Sequence, residues 1–185
     1  NYYAKTNFSG ITNIIDALGG VEVDSPYEFT TLHGNYKIKK GVNELNGDQA
    51  LCFVRERYAL PSGDFDRGKN QQRLLKAMLK KAMSPKIITN YSNILAAVEG
   101  SFETDMSSDD IKSLVNMQLD DMANWEIFNV QVTGDGAISY DTYSQKGKKT
   151  YITIPYKKSI QNIRKVIDKI EAGKKLTEAD VKGLS

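Results

Sequence analysis

The sequence predicts a layered α/β or α+β fold in which helices cover a β-sheet. Segments with apolar residues at helical spacing are interspersed with short segments rich in β-branched and aromatic residues. The two kinds of segment do not alternate strictly, and the strands are too few to complete a sheet. With 185 residues, 40% hydrophobic and 26% charged, the chain is long enough to bury one core.

The first predicted elements are a helix and a short strand. Apolar residues recur at helical spacing over residues 8–18, and Gly19-Gly20 supplies residues that end a helix in the left-handed conformation. Val21-Glu22-Val23-Asp24 then alternates as a half-buried strand does, and Ser25-Pro26 ends it. We predict an irregular stretch from there to about residue 46.

The middle of the chain predicts a brief helix, an extended segment and a long helix. Asn46 is suited to cap a helix through Leu51, after which an extended or irregular segment runs to the turn at Pro61-Ser62-Gly63. From Asp64 one apolar stripe with lysines outside it predicts a long helix that Ser84-Pro85 ends. The stripe contains Leu74, Leu75, Met78, Leu79, Ala82 and Met83.

Two further helices are predicted after this one. A shorter helix covers residues 86–98, and Ser107-Ser108-Asp109-Asp110 is a capped start for the next. The predicted buried face of that second helix consists of Ile111, Leu114, Val115 and Leu119.

The C-terminal part of the sequence predicts two strands and a last helix. Trp125–Val132 is rich in aromatic and β-branched residues, and Gly134-Asp135-Gly136 predicts a turn after it. Tyr151–Ile154 is a second candidate strand. Isoleucines and a valine between residues 160 and 170 mark the apolar face of a helix, and residues 173–185 form a polar tail.

Charge and motif content exclude several classes of function. The net charge of +2 comes from 25 basic and 23 acidic residues, which is too balanced for general nucleic-acid binding. The ten tyrosines are not interleaved with basic residues, and no helix-turn-helix is evident. His33 has no cysteine or second histidine near it. We therefore predict no nucleic-acid partner and no metal site built from this chain alone.

The single cysteine and the lack of a long apolar stretch are two further features of the sequence, and the lone thiol does not identify a compartment. Cys52, the single cysteine, lies in an apolar run and is predicted to be a small buried residue without a disulfide. No stretch reaches the roughly 20 consecutive apolar residues that cross a bilayer, and the first residues lack a signal-peptide pattern. We expect the chain itself to be soluble.

The densest cluster of specific polar residues lies between Arg55 and Gln71. Residues two apart point the same way in extended backbone, so Arg55 and Arg57 would present their guanidinium groups to one side. Arg67 and Gln71 are four apart near the predicted start of the long helix, on one face and close to the positive end of the helix dipole. Arginine forks and a glutamine amide are suited to bind phosphate, and three arginines suit a diphosphate.

Local charge supports an anion site there, although a second interpretation stays open. From Arg55 to Lys81 there are eight basic and three acidic residues. The alternative is that the arginines form only surface ion pairs with Glu56, Asp64 and Asp66, each worth about 0–1 kcal/mol. Spacing alone does not decide between the two interpretations.

Four blocks of sequence, in order and at matching intervals, resemble the LytR-CpsA-Psr family and cover most of the chain. They are Tyr2-Tyr3-Ala4-Lys5-Thr6-Asn7-Phe8, Asp16-Ala17-Leu18-Gly19-Gly20-Val21, Leu45-Asn46-Gly47-Asp48-Gln49-Ala50-Leu51, and Arg55-Glu56-Arg57-Tyr58 continued by Arg67-Gly68-Lys69-Asn70-Gln71-Gln72. The resemblance implies an α/β class with a mixed β-sheet flanked by helices on both faces, a layered α-β-α arrangement. Residues 1–172 would be the C-terminal portion of the catalytic domain, without its N-terminal strands.

The resemblance also implies an activity and a place in the cell. Similarity to the family implies transfer of a glycopolymer from a polyprenyl pyrophosphate carrier to peptidoglycan, usually with Mg²⁺. Its members act on the extracellular face of the cytoplasmic membrane in the bacterial cell envelope, held by an anchor that this chain lacks. The implied partners are therefore the polyprenyl pyrophosphate-linked glycopolymer and peptidoglycan.

Site residues follow from the resemblance position by position. Arg55, Arg57, Arg67 and Gln71 match the positions that contact the pyrophosphate, and Arg55, Arg57 and Asp64 are the catalytic candidates. Leu75 and Leu79 of the long helix would contribute to a tunnel for the lipid, and the alternative for most of this apolar stripe is an ordinary core face. The Mg²⁺ ligands and the general base are expected mainly in the missing N-terminal half, although Glu56 and Asp64 are nearby carboxylates.

Two functions remain open at this point. The first is a phosphotransferase that attaches a capsular polysaccharide or teichoic acid to peptidoglycan, with this chain alone carrying only part of the active site. The alternative is a non-catalytic module that binds an anionic polyprenyl lipid or glycan and regulates capsule assembly. The same arginines serve either function, and only a test of turnover separates the two.

Overall fold

The computed structural model describes residues 2–122 and 125–184, which divide into an N-terminal unit, Asn1–Glu126, and a C-terminal unit, Ile127–Ser185. The chain is about 45% helical, and the strands of the described ranges form four two-stranded antiparallel sheets. The predicted α/β class is therefore confirmed. None of the helices in these ranges combines the length and the apolar character needed to cross a bilayer.

The first predicted helix and strand are confirmed. Helix α1 is Phe8–Ala17, and the Asn7 side chain caps it by accepting a hydrogen bond from the Gly10 amide at 2.8 Å. The helix ends where Gly19 and Gly20 adopt φ of 74° and 85°. Strand β2 then runs over Val21–Ser25 with residues alternately buried and exposed.

The prediction of an irregular stretch to residue 46 is wrong, because three short strands lie there. Strand β3, Phe29–Thr30, pairs with β4, Lys37–Ile38, and β5, Gly41–Leu45, pairs along the whole of β2. Strands of this length are defined by the backbone partner they find, which local sequence does not show. For the same reason the pairing of β1, Ala4–Thr6, with β6, Phe102–Thr104, was not predicted.

Helix α2, Gly47–Arg55, is longer than predicted. Asn46 caps it through a reciprocal capping box with Gln49. The helix continues past Leu51 because it places Ala50, Phe53 and Val54 in the core. The prediction of extended backbone at Arg55 is therefore wrong, since Arg55 is the last helical residue and the chain becomes extended only at the next one.

The predicted long helix is confirmed as α3, Asp64–Ala82. The single helix predicted at residues 86–98 is instead two, α4 at Pro85–Ile88 and α5 at Tyr91–Ala97. The break falls at Thr89 and Asn90, whose short polar side chains compete with the helical backbone for hydrogen bonds.

Helix α6, Ser108–Asp121, begins at the predicted cap, where Ser107 and Asp110 form a capping box. Its predicted buried face is only partly right. Val115 is buried, but Leu114 is 43% exposed and Leu119 is 36% exposed, because the described surroundings of α6 cover only a narrow stripe of the helix.

The core of the N-terminal unit lies between β2, β5 and helices α1 to α3. Ile15 and Phe53 are fully buried, and the Phe53 ring stacks on Phe29 with centroids 6.0 Å apart. On α3, the buried residues Asp66, Asn70 and Leu74 share one face of the helix. The buried apolar cluster comprises Ile15, Val21, Val23, Phe29, Ile38, Leu45, Ala50, Phe53, Val54, Leu60 and Leu74.

In the C-terminal unit, strand β7, Gly134–Ser139, pairs with β8, Thr150–Pro155, so the predicted strand at Tyr151–Ile154 is confirmed. The strand predicted at Trp125–Val132 and the turn predicted at Gly134-Asp135-Gly136 are wrong. Residues 125–133 have no strand, and the Gln131 amide bonds to the Leu184 carbonyl instead. Aromatic and β-branched content favours a strand only where a neighbouring strand can pair with it.

The last predicted helix is confirmed as α7, Lys157–Glu171. Within the segment predicted as a polar tail, a short helix, α8, covers Glu178–Val181. The Lys169 ammonium lies 2.6 Å from the Asp180 carboxylate and connects the two helices.

Candidate functional site

The loop between α2 and α3 carries the first part of the site, and a buried carboxylate organises it. Glu56 is 3% exposed. Its Oε1 accepts hydrogen bonds from the amides of Arg57, Tyr58 and Ala59 at 2.8–3.0 Å, and its Oε2 accepts one from the Leu32 amide at 2.6 Å. Burial alone would raise the pKa of Glu56, but these four backbone donors outweigh it and hold the pKa below its ordinary value.

A second buried carboxylate sets the start of α3. Asp66 is 4% exposed, and its Oδ2 accepts a hydrogen bond from the Ser62 amide at 2.8 Å. Between them Gly63 adopts φ 53°, a conformation that a residue with a Cβ rarely takes. The chain therefore turns sharply and places Asp64 at the first position of the helix.

Three of the predicted site residues meet at this turn. The Asp64 Oδ1 lies 3.0 Å from Nη2 of Arg67 and 3.8 Å from Nη1 of Arg57. All three side chains are between 37% and 46% exposed, so solvent weakens the pairs to about 0–1 kcal/mol each. An anionic ligand with more than one oxygen could therefore approach both guanidinium groups at little cost in lost pairing.

The two arginines of the α2 end have different surroundings. The Arg57 guanidinium lies over the Tyr58 ring, 4.6 Å from its centroid, and donates a hydrogen bond of 2.6 Å to the Tyr58 hydroxyl. The Arg55 guanidinium lies over the ring of Phe8, the first residue of α1, at 5.0 Å. The structure thus brings Arg57, Asp64 and Arg67 together, while Arg55 contacts the start of α1.

The remaining predicted residues continue along α3. Arg67, Gln71, Leu75 and Leu79 follow each other at intervals of four, so each lies one turn beyond the last with a slow drift around the helix. Gln71 is exposed, and the leucines are 58% and 42% exposed. This side of α3 therefore offers polar donors at its N-terminal end and apolar side chains beyond them.

Sequence reasoning missed two contributions to the site. Phe8 is 47 positions before Arg55, and no local signal connects the two. The second contribution is that of Glu56. From sequence it is a candidate general base or an ion-pair partner of an arginine, but in the structure its oxygens bind backbone amides. A carboxylate between two arginines indicates an ion pair from sequence, and only the fold reveals the competing donors.

The described residues offer a limited set of metal ligands. Within residues 2–122 and 125–184, no three His, Cys, Asp or Glu side chains are grouped so that they could hold a metal ion. Asp66 is buried against the Ser62 amide, and Asp64 is the half-exposed carboxylate of the site. Mg²⁺ is commonly bound by one or two carboxylates together with phosphate oxygens, so Asp64 fits as one ligand beside a bound diphosphate.

The structure is that of a mixed α/β protein in which Arg57, Asp64 and Arg67 meet at the start of a long helix. The model of the LytR_cpsA_psr family matches residues 1–172. The chain belongs to the LytR-CpsA-Psr family, which confirms the resemblance found in the four sequence blocks.

A curated relative and two solved structures are similar to this chain. The polyisoprenyl-teichoic acid–peptidoglycan teichoic acid transferase TagU of Bacillus cereus is 36% identical over 136 residues, which cover 74% of this chain and 44% of TagU. The crystal structure of Bacillus subtilis TagV matches with a TM-score of 0.73 and 23% identity, over 95% of this chain and 65% of TagV. A structure of TagT bound to LIIa-WTA matches with a TM-score of 0.67 and 22% identity, over 94% and 62% of the two chains.

This chain covers only part of the length of these relatives. The chain spans less than half the length of TagU and about two thirds of the TagV chain. At 22% and 23% identity, the two structures establish the fold of this chain, which agrees with the predicted α/β class.

Proposed function

We propose that this chain forms the part of a glycopolymer transferase that binds a polyprenyl pyrophosphate-linked glycopolymer, and that the whole protein transfers the polymer to peptidoglycan. The observation that carries this proposal is the exposed side of α3. Arg67 and Gln71, beside Asp64, are followed along the helix by Leu75 and Leu79. A ligand with a charged head and an apolar tail matches this order of side chains.

The dimensions of the helix are compatible with such a ligand. With a rise of about 1.5 Å per residue, Gln71 and Leu79 are separated by about 12 Å along the axis. The pyrophosphate would lie at the N-terminal end of α3, where the helix dipole and the guanidinium groups of Arg57 and Arg67 favour negative charge. The first part of the polyprenyl chain would then cover Leu75 and Leu79.

The proposed reaction is a phosphoryl transfer. A sugar hydroxyl of peptidoglycan attacks the phosphorus next to the glycan, a new O–P bond forms, and the bond to the bridging oxygen breaks. The products are a phosphodiester-linked glycopolymer and polyprenyl phosphate, and the hydroxyl proton passes to a general base. Negative charge develops on the phosphoryl oxygens and on the leaving phosphate, where arginines stabilise it.

The residues of this chain would divide these tasks. Arg57 and Arg67 donate to the pyrophosphate oxygens, and Gln71 adds a neutral donor. Arg55 approaches from the end of α2, with Phe8 limiting the directions that its guanidinium can take. Asp64 pairs with Arg67 at 3.0 Å and lies 3.8 Å from Arg57, and it would be one carboxylate ligand of Mg²⁺, which when bound would neutralise charge on the phosphate oxygens.

The cargo and the location are also proposals. The name of the TagU relative favours teichoic acid over capsular polysaccharide as the polymer. Because peptidoglycan is the acceptor, the protein would act on the extracellular face of the cytoplasmic membrane.

The proposal can be tested by calorimetric titration of the chain with a polyprenyl pyrophosphate, with and without Mg²⁺. The double substitution Arg57→Ala, Arg67→Ala should weaken binding about 100-fold or more, since each arginine supplies charge-assisted hydrogen bonds. The matched control is Lys76→Ala, Lys80→Ala, which removes two exposed charges from the same helix. Lys76 is nine residues, or two and a half turns, beyond Arg67 and so faces the opposite way.

Each outcome has a clear meaning. Equal weakening by the two double variants would mean that the lipid responds only to general charge, and the proposed site would be wrong. Binding without transfer of labelled polymer to peptidoglycan, measured with a chain as long as TagU, would favour the non-catalytic module instead.

A further inference from the structure

A buried carboxylate beside the arginines makes contacts that the proposed reaction does not require. Glu56 lies between Arg55 and Arg57 in sequence and is 3% exposed. Its partners in the described part of the chain are four backbone amides and no cationic side chain. A carboxylate buried this deeply is stable only because these donors replace its lost hydration.

The two oxygens of Glu56 hold different parts of the N-terminal unit. Oε1 accepts from Arg57, Tyr58 and Ala59, three consecutive amides, and so fixes the backbone turn that carries the Arg57 side chain. Oε2 accepts from Leu32, 24 residues earlier in the chain, at 2.6 Å. One side chain thus joins the turn to the β3–β4 connection.

The β3–β4 connection is already ordered by its own hydrogen bonds. The Thr31 amide donates to the Tyr36 carbonyl at 2.9 Å, and the Thr31 hydroxyl donates to the His33 carbonyl at 2.6 Å. Gly34 and Asn35 adopt positive φ and complete the turn. The Leu32 side chain is 60% exposed, so apolar burial does little to hold this residue in place and the bond to Glu56 fixes its backbone.

We propose that Glu56 is a positioning residue for substrate binding: its carboxylate locks the Thr31–Tyr36 loop and the Arg57–Ala59 turn to a common point and thereby fixes the Arg57 side chain for the pyrophosphate. This inference rests on the proposed function. Its physical basis is that the Arg57 guanidinium binds the hydroxyl of Tyr58, its neighbour in the same turn, at 2.6 Å, and lies farther from Asp64, at 3.8 Å. The position of the guanidinium therefore depends on the backbone turn that Glu56 holds.

The substitution Glu56→Gln separates the two contacts. A glutamine amide keeps one oxygen, which can still accept from the three amides of the turn, but it turns an NH₂ group toward the Leu32 amide, where two donors face each other. We expect amide hydrogen exchange at Leu32 to rise at least about tenfold in this variant, the effect of losing one charge-assisted hydrogen bond. Exchange at Tyr58 and Ala59 should change less, and the exposed Glu22→Gln is the matched control.

A double-mutant cycle on polyprenyl pyrophosphate affinity tests whether Glu56 acts through Arg57. Glu56→Gln should weaken binding about tenfold in the wild-type background and have little further effect in an Arg57→Ala background. A purely structural role would weaken binding by the same factor in both backgrounds. Additive effects would therefore overturn the inference while the proposed function stands.

Hydrogen exchange tests, without any ligand, whether Glu56 holds the Leu32 amide. Unchanged Leu32 exchange in Glu56→Gln would also overturn the inference. Absence of lipid binding by the wild-type chain, in contrast, would refute the proposed function, and the inference would fall with it. A Leu32 amide that exchanges faster together with non-additive binding supports the inference.

Discussion

Replacing Leu75 and Leu79 with glutamine should weaken binding of a long polyprenyl pyrophosphate and leave binding of inorganic pyrophosphate unchanged. The two side chains are 58% and 42% exposed, which together amount to about one whole leucine available for a lipid to cover. Complete burial of a leucine side chain contributes about 1.5–3 kcal/mol. The double variant should therefore lose about 10- to 150-fold in affinity for the long-chain ligand.

Glutamine is the suitable replacement because its helix propensity is close to that of leucine, so α3 should keep its stability. Affinities for the two ligands would be measured by calorimetry on the wild type, this variant and a control, Leu114→Gln with Leu119→Gln. The control residues are 43% and 36% exposed on α6, so the control removes a similar apolar area from a helix that carries no predicted site residue.

The ratio of the two affinities is the informative quantity. An equal loss for inorganic pyrophosphate would show that the leucines act through the fold or the head group, and an unchanged affinity for the long chain would show that α3 does not contact the lipid. Either result would refute the assignment of this side of the helix to the polyprenyl tail.

Two further predictions concern stability. Phe53→Ala should lower the free energy of unfolding by about 3–5 kcal/mol in denaturant titrations, since it empties a fully buried site against Phe29, and a loss below about 1 kcal/mol would contradict the described core. The second concerns Asp180, whose pKa the Lys169 ammonium, helped by Thr177, lowers from an ordinary 3.8 to about 2. Because the pKa of Asp180 is lower in the folded chain, its ionised carboxylate stabilises the fold above pH 3.8, and this stabilisation is lost as the pH falls toward about 2. The difference in denaturation midpoint between wild type and Asp180→Asn should therefore shrink over that pH range. A difference that is the same at pH 7 and pH 2 would contradict this prediction.

Elements with strong local signals were predictable. The spacing of apolar residues predicted α1, α3, α6 and α7, and the capping residues Asn46 and Ser107 marked two helix starts correctly. These signals are local because a helix forms its hydrogen bonds within one segment. The short strands of residues 29–45 were not predictable in the same way, because each depends on a partner elsewhere in the chain.

In the candidate site, too, local features were predictable and the features that depend on distant residues were not. Spacing indicated that Arg67 and Gln71 share one face of a helix and grouped Arg55 and Arg57 with them as an anion site, and the family resemblance added Asp64. The expectation that Arg55 and Arg57 are both in extended backbone was wrong, because burial of the face of α2 that includes Phe53 extends the helix to Arg55. The roles of these residues in binding and catalysis remain predictions.

The sequence by itself determined the α/β class, the family and the long helix that orders arginine, glutamine and leucine along one side. The class and the helix follow from residue types at fixed local spacing, and the family follows from the resemblance of four sequence blocks. Only the tertiary structure decided that Phe8 lies under Arg55 and that the carboxylate of Glu56 joins Leu32 to the Arg57 turn. The Arg55–Phe8 and Glu56–Leu32 contacts connect residues 47 and 24 positions apart, so local spacing does not predict them. The Glu56 contact exists because the completed fold leaves backbone donors facing a buried charge.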